Sequence, residues 1–357
     1  MSFFDKLLSP FQTAMKKSLE SYIRLETSDS PTTMAASDGS LLSYVKIEGS
    51  RQLVGEEEYQ HLIESATLKI GARFDRTGHA LQIYFVRDPE RIGEHLEELV
   101  RPSRKTAQDT GLNVEDIFEE RIRHLSKYLS FEECYFVLWT RPSVLTKNEM
   151  KRAVKESQNK KWVKAARAQF PLAALDALRT RHKSFVASIM SSLDELGISG
   201  EVLGTHDALR AVKNNLYPTK SHKEWSANLP GDDIRPRALQ SATDLSEILW
   251  PSLRQQLALA DAHIINESIV RIGNKLWGGA DVTLAPMDPS PFPMLLNRLF
   301  DANVPYRISF LIEGGGAQST ALRSSVATLL GVTNALNKQI KYSLEGLNRL
   351  ARKEPVV

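Results

Sequence analysis

The sequence predicts an α+β fold made of two mixed α/β units with flanking helices, preceded by an N-terminal amphipathic helix. Apolar residues recur at helical spacing over residues 2–24, whereas shorter apolar runs alternate or stay continuous as strands do. Strand-like and helix-like patterns also follow one another twice, first from Leu41 to Leu99 and again after residue 245. This repeated order indicates two units of similar plan.

The N-terminal segment predicts an amphipathic helix over residues 1–30, with Pro10 dividing or restarting it. Its apolar stripe begins with Phe3, Phe4, Leu7, Leu8 and Phe11. Burying a large apolar side chain stabilises by about 1.5–3 kcal/mol, so this stripe needs a surface to cover it. That surface is its own domain, a partner subunit or a membrane, and the terminal position suits a docking role.

Residues 31–216 are predicted to form the first α+β domain. After a polar break over Thr27–Thr33, a hairpin turn at Asp38-Gly39 joins two strands. The further predicted strands are His79–Val86, Cys134–Trp139 and Ile198–Leu203. The predicted helices are Gly55–Ile70, Asp88–Thr110, Val114–Leu129, Arg181–Leu196 and Asp207–Leu216.

A stretch rich in proline and charge, residues 217–244, is predicted to be the linker between the two parts. The second α+β unit then covers residues 245–357. Its predicted strands are Ser268–Ile272, Ala280–Leu284 and the run from Tyr306, with one helix after Pro293 and a long last helix from Ser319. This predicted helix ends the second unit.

Composition and charge narrow the function classes. The formal net charge of +3, from 46 basic and 43 acidic residues, is too balanced to indicate nucleic acid or anionic lipid as the main partner. The single cysteine, Cys134, allows no disulfide within the chain. Apolar runs stay shorter than the roughly 20 residues that span a bilayer, so we expect a cytoplasmic protein that meets membranes by docking.

The segment Gly314–Thr320 has the layout of a phosphate-binding loop, since a glycine-rich turn follows an apolar strand. Such a loop needs a lysine that reaches the outer phosphates, and here Gln318 stands in its place. We therefore expect a strand-to-helix turn capped by Ser319 or Thr320. A nucleotide-binding protein that uses this loop is the enzyme-class alternative.

A second alternative is a nucleic-acid-binding accessory protein that uses the basic stretch Lys151–Arg167, which includes Lys160, Lys161 and Lys164. Glutamates lie in its first half and Trp162 is its only aromatic residue. Nucleic acid is therefore not expected as a partner of this part.

The sequence contains no recognisable catalytic or metal-binding motif. The eight histidines are scattered and form no H-E-x-x-H motif, and no G-x-S-x-G motif occurs. The pair His206-Asp207, at a predicted helix start, is better explained as a cap than as a catalytic dyad. We expect no catalytic residue, metal or cofactor in this chain.

A series of short segments resembles the N-terminal region of the IcmB/DotO proteins, the ATPases of type IVB (Dot/Icm) secretion systems, and of their counterpart TraU in conjugative plasmids. In chain order these segments are Glu20–Tyr22, Leu25–Thr27, Asp38–Leu41, Gly55–Glu58, Gly78–Gln82, Phe118–Ile122, Tyr135–Pro142, Leu229–Asp232, Leu249–Pro251, Val270–Gly273 and Arg307–Phe310. Their order along nearly the whole chain is more specific than any single segment.

The resemblance implies a motor component at the cytoplasmic face of the bacterial inner membrane, peripheral to it. It implies hexamer-type self-assembly, other secretion-system subunits as partners, and docking on the inner-membrane complex. The ATPase half, with its ATP and Mg²⁺, is expected in a longer parent, because this chain stops before any such motif. No catalytic residue can be carried over to it.

Overall fold

The computed structural model describes residues 19–52, 54–74, 77–159, 168–218, 224–232, 250–258, 262–266, 268–279 and 304–314. Helices and antiparallel strands both occur in this part, and the predicted α+β class is confirmed. The predicted N-terminal helix lies outside the described residues. So do the strand Ala280–Leu284, the helix after Pro293 and the last helix.

The chain divides into two compact units, each made of several segments. The first comprises residues 1–44, 138–188 and 202–282, and the second comprises 45–137, 189–201 and 283–357. The domains predicted from the sequence were each one continuous stretch of the chain. Their boundaries stay a prediction.

Ten strands and seven α-helices occur in the described part. The strands are β1 Leu25–Ser30, β2 Thr33–Ala36, β3 Leu41–Ser50, β4 His79–Asp88, β5 Phe131–Thr140, β6 Ile198–Val202, β7 Ala262–Ile264, β8 Ile269–Ile272, β9 Lys275–Gly278 and β10 Tyr306–Glu313. The helices are α1 Glu56–Gly71, α2 Ile92–Asp109, α3 Glu115–Leu125, α4 Lys147–Gln158, α5 Asp176–Glu195, α6 Thr205–Leu216 and α7 Leu253–Leu257. The larger sheet has the order β1-β2-β3-β5-β4-β10, with β6 paired to β3, and β7-β8-β9 form a small separate sheet.

The predicted polar break over Thr27–Thr33 is wrong in its first part, because Thr27–Ser30 belong to strand β1. It pairs antiparallel with β2, and Thr27 is fully buried although its neighbours Ser28 and Asp29 are polar. The Thr27 hydroxyl donates a hydrogen bond to the side-chain oxygen of Gln169, at 3.1 Å. Because this partner lies far along the chain, local polarity concealed the strand.

The predicted hairpin turn between β2 and β3 is present. Gly39 adopts φ +80°, a conformation that suits glycine, and its N–H donates to the carbonyl of Ala36 at 2.9 Å. The Asp38 carboxylate accepts from the Ser40 N–H at 3.0 Å, as turn aspartates commonly do. The turn therefore fixes the register that buries Ala35 and Leu41.

The core of the first unit joins strands β2 and β3 to helices α4 and α5. Its buried members are Ala35, Leu41, Leu145, Ala153, Ala174 and Leu178. Helix α4 begins at a capping box, in which Thr146 accepts from the Glu149 N–H and the Glu149 carboxylate accepts from the Thr146 N–H. This cap directs the chain into α4 so that Ala153 faces the core.

A polar chain is also buried in the first unit, where His182 of α5 lies between β3 and the end of β5. The Ser43 hydroxyl donates to the carbonyl of Thr32 at 2.7 Å, so His182 Nε2 must be the donor in its 2.9 Å bond to Ser43. His182 Nδ1 then accepts from the Thr140 hydroxyl, also at 2.9 Å. These bonds fix the ring and its tautomer.

The second unit contains the long ladder between β4 and β10, which runs without a register shift from Tyr306 opposite Arg87 to Glu313 opposite Ala80. Leu81 and Val86 of β4 are buried. Helix α2 contributes buried Ile92 and Leu96, and Phe131 at the start of β5 is buried as well. The alternation of apolar residues over His79–Val86 predicted a strand, and β4 occupies this position.

Among the helices of the described residues, none has both the length and the apolar character that crossing a membrane requires.

Candidate functional site

Gln169 connects distant segments of the first unit and is 2% exposed. Its side-chain oxygen accepts from Thr27 of β1, while its amide nitrogen donates to the carbonyls of Asn228, at 2.6 Å, and Pro251, at 2.9 Å. Its backbone N–H donates to the carbonyl of Trp250 at 2.9 Å. Because an unsatisfied buried polar group costs about 1–3 kcal/mol, these contacts specify one arrangement of the three segments.

Gln256 of α7 reinforces the same junction. Its side-chain oxygen accepts from the Asn228 N–H at 2.8 Å, and its amide nitrogen donates to the carbonyls of Asn228, at 3.1 Å, and Pro251, at 2.8 Å. Two glutamine side chains therefore hold the backbone at Asn228. The described part of the predicted linker, residues 224–232, is thus packed into the first unit, with Ala227 and Leu229 buried.

Lys213 of α6 is the largest charged side chain buried in this region, at 1% exposure. Its ammonium donates to the backbone carbonyl of Gln256 at 2.7 Å and lies 3.8 Å from the centre of the Trp225 ring. Burial lowers the pKa of Lys213 to about 8, because desolvation disfavours the charged form. Within the described residues, no carboxylate forms an ion pair with it.

An open cleft of about 540 Å³ lies at the N-terminus of α6. Four chain segments form it: the end of β1 with the following Pro31, the residue Pro171, the start of α6 and the Leu229–Asp232 turn. Its lining comprises Ser28, Asp29, Ser30, Pro31, Pro171, Gly204, Thr205, His206, Asp207, Leu229, Pro230, Gly231 and Asp232. Rigid prolines and turn residues therefore shape its walls.

His206 connects two side chains beside this cleft. Its Nε2 lies 3.0 Å from Asp232 Oδ1, and its Nδ1 lies 3.0 Å from Ser226 Oγ. A carboxylate only accepts, so the neutral ring carries its proton on Nε2 and Nδ1 accepts from the Ser226 hydroxyl. The other oxygen of Asp232 accepts from the Leu229 N–H at 2.7 Å, which orients the carboxylate.

The order Ser226, His206, Asp232 is that of a serine hydrolase triad, in which backbone N–H groups must also stabilise an oxyanion. Here the Asn228 N–H is bound to Gln256 and the Leu229 N–H to Asp232. Both amides are therefore occupied. The arrangement fixes the segment from Ser226 to Asp232 against α6, and neither of these two amides is free to bind an oxyanion.

Two further acidic side chains of the cleft are neutralised by arginines. Arg179 of α5 binds Asp29 with Nε at 3.0 Å and Nη2 at 2.8 Å, and Arg210 binds Asp207 at 2.9 Å. Asp207 thus pairs within its own helix, and the partner of His206 is Asp232. No local sequence pattern indicates this partner, which lies 26 residues away.

The predicted docking residues Phe3, Phe4, Leu7, Leu8 and Phe11 lie outside the described residues. Of the Gly314–Thr320 loop only Gly314 is described, and its N–H donates to the carbonyl of His79 at 3.1 Å. Lys160, Lys161 and Lys164 also fall outside.

The described residues hold no group of three or more histidine, cysteine, aspartate or glutamate side chains that could bind a metal ion. Cys134 of β5 is half-buried, and desolvation raises the pKa of its thiol to about 11. A thiol in this state is a weak nucleophile at neutral pH.

No protein-family model matches the chain, and no curated protein matches it.

Proposed function

We propose that this chain is the N-terminal docking and assembly part of a type IVB secretion or conjugative-transfer motor ATPase. It links the cytoplasmic motor to the inner-membrane complex and carries no hydrolytic site itself. The observation that carries the proposal is the junction at Gln169, which contacts two of the segments that resemble the IcmB/DotO proteins and the residue next to a third.

These three segments are Leu25–Thr27, Leu229–Asp232 and Leu249–Pro251. Gln169 contacts the first through Thr27 and the third through Trp250 and Pro251. It reaches the second through Asn228, the residue just before it. Segments that are more than 200 residues apart in sequence thus belong to one buried hydrogen-bond network, which supports reading them as parts of one module.

A module of this kind transmits force through packed elements rather than through chemistry. The buried lysine, the two glutamines and the His206 contacts all join backbone segments to one another. Buried polar contacts of this kind favour one conformation over its alternatives. A rigid module suits a part that holds a motor on a membrane complex.

The experiment uses the longest natural protein that contains this chain, expressed in its own bacterium. Phe3, Phe4, Leu7, Leu8 and Phe11 are replaced together by serine, and membrane and soluble fractions are compared. We expect the variant to move from the membrane fraction to the soluble fraction, because the apolar stripe that would dock is gone.

The matched control is Leu68→Ser, a change at a leucine of α1 that is already exposed. This variant should stay with the membrane fraction and co-purify with the inner-membrane secretion subunits, as the wild type does. Undiminished membrane recovery of the five-serine variant, or a wild type that never co-purifies with those subunits, would refute the proposal.

A further inference from the structure

Helix α6 begins at the cleft without a side-chain cap, because the residue that precedes its first turn is Gly204. The Thr205 N–H donates to the carbonyl of Pro31 at 2.8 Å. The N–H groups of His206 and Asp207 donate to no described residue. In the first turn of a helix these groups point along the axis towards the N-terminus, where the cleft lies. Two backbone donors are therefore directed at the open space.

The hydroxyl of Thr205 is a third donor at the same place. Thr205 lines the cleft and is 5% exposed. Side chains of a helix tilt towards its N-terminus, so the side chain of this first helical residue is directed into the cleft. The hydroxyl oxygen is not sealed from solvent, and it forms no hydrogen bond with a described residue. Because hydroxyls on residues as buried as this are usually bonded, its lack of a partner points to a ligand.

The charges around the cleft limit what this ligand can be. Its three aspartates are already paired: Asp29 with Arg179, Asp207 with Arg210 and Asp232 with His206. None of the residues that line the cleft is a lysine or an arginine. A helix N-terminus is equivalent to about half a positive charge, which offsets part of one negative charge and cannot offset two. A singly charged oxyanion is therefore favoured over a phosphate dianion.

We propose that the cleft binds a carboxylate group at the N-terminus of α6. One carboxylate oxygen accepts from the N–H groups of His206 and Asp207, and the other accepts from the Thr205 hydroxyl. The cleft has a volume of about 540 Å³, which is more than a carboxylate fills. The rest of the ligand lies against the proline rings of the cleft, and it belongs to a small organic acid or to an acidic side chain of a peptide.

The variant Gly204→Asp tests the site by filling it from within the chain. Gly204 has an extended backbone with φ −61°, and an added Cβ would lie 3.8 Å from the nearest atoms, so the variant should fold. An aspartate at this position is a good helix cap and accepts from the N–H of the second or third helical residue. We expect this variant to melt at a higher temperature than the wild type and to bind no carboxylate. Gly204→Ala, which adds the Cβ without an acceptor, is the matched control.

Binding is measured by nuclear magnetic resonance on the whole chain with isotope-labelled histidine, at pH 7 and constant ionic strength. The sequence has eight histidines, and the amide signal of His206 is identified by its loss in His206→Gln. Sodium acetate then replaces sodium chloride in steps. In the wild type and in Gly204→Ala this signal should shift to a plateau, because the His206 N–H gains an acceptor. In Gly204→Asp it should stay in place.

Two substitutions in the cleft should change the acetate dissociation constant in opposite directions. Thr205→Val removes one hydrogen bond and should raise this constant about three- to tenfold. Asp207→Asn removes a negative charge beside the site and should lower it at least about twofold. Thr67→Val, at an exposed threonine of α1, should leave it unchanged. A general effect of salt on the protein would not produce these opposite signs.

Acetyl-glutamate amide, which carries the carboxylate on a peptide unit, distinguishes the two sources of the ligand. Tighter binding than that of acetate indicates an acidic side chain of a peptide, and equal or weaker binding indicates a small organic acid. An acetate-induced shift in Gly204→Asp equal to that of the wild type would overturn the proposal, as would a wild-type signal that reaches no plateau. Membrane recovery of Gly204→Asp should equal that of the wild type, so this site and the docking role proposed above can fail separately.

Discussion

Replacing Lys213 by methionine should change how the stability of the protein depends on pH. Methionine keeps most of the side-chain length but cannot carry the proton of the ammonium. Burial lowers the pKa of Lys213 to about 8 in the folded protein, from 10.5 for an ordinary lysine. The unfolded chain therefore holds this proton over a pH range in which the folded protein has released it.

The sign and size follow from that difference. Below pH 8 both states bind the proton, and the folded state bears the whole cost of burying a charge. Between pH 8 and 10.5 only the unfolded state binds it, so the free energy of unfolding rises with pH. At about 1.4 kcal/mol per pKa unit, the rise from pH 7 to pH 10 is about 2–3 kcal/mol. Because the Trp225 ring favours the charged form, this value is an upper bound.

Urea unfolding followed by circular dichroism at pH 7, 8, 9 and 10 measures the effect. The quantity of interest is the free energy of unfolding of the wild type minus that of Lys213→Met, so that titrations common to both proteins cancel. We expect this difference to increase by about 2–3 kcal/mol across the range. Lys183→Met, at an exposed lysine of α5, controls for the loss of one positive charge.

A difference that stays constant from pH 7 to pH 10 would refute the reasoning. It would mean that the ammonium keeps its ordinary pKa, which is incompatible with a side chain that is 1% exposed beside a single carbonyl and an indole ring. The pH-independent part of the difference in unfolding free energy does not test the pKa, since it also contains the loss of the Lys213 hydrogen bond to Gln256.

Two other predictions concern single residues. Thr146→Ala should destabilise the protein by about 1 kcal/mol, because it removes the cap of α4. The N–H and hydroxyl of Thr146, together with Arg181, lower the pKa of Glu149 to about 2. The Glu149 carboxylate therefore contributes stability above pH 4.5, and this stability is lost as the pH falls towards 2. Acid unfolding of Thr146→Ala should therefore begin at a higher pH than that of the wild type, and coincident acid transitions would contradict this. At Cys134, alkylation by iodoacetamide at pH 8 should be roughly 100-fold slower in the folded protein than in urea. The reason is that burial raises the pKa of the thiol from 9.0 to about 11, so less thiolate is present. Equal alkylation rates in the two conditions would contradict that pKa.

Local pattern predicted most of the elements but few of the long-range contacts. Alternating apolar residues marked β4, and a proline near its start marked α2, because both signals lie within the element itself. Strand β1 was missed since Thr27 is buried by a partner at Gln169. Strands β7 and β9, of three and four residues, are too short to show a period.

The contacts of the candidate site were beyond local pattern. Gln169, Gln256 and Lys213 look like ordinary surface residues in sequence, and only the fold surrounds them. His206 was noticed beside Asp207, yet the helix places Asp207 against Arg210 and the turn brings Asp232 to the imidazole. Pairing of this kind depends on which distant segments pack together in the fold. A window of neighbouring residues does not contain that information.

The division of each compact unit among three chain segments has a consequence for synthesis. The first unit joins residues 1–44 to residues 138–188 and 202–282, and the second joins residues 45–137 to residues 189–201 and 283–357. Each unit can therefore complete its contacts only after its last segment has been synthesised. Contacts over such separations also form slowly, because the entropy of closing long loops is lost before the contacts stabilise the fold.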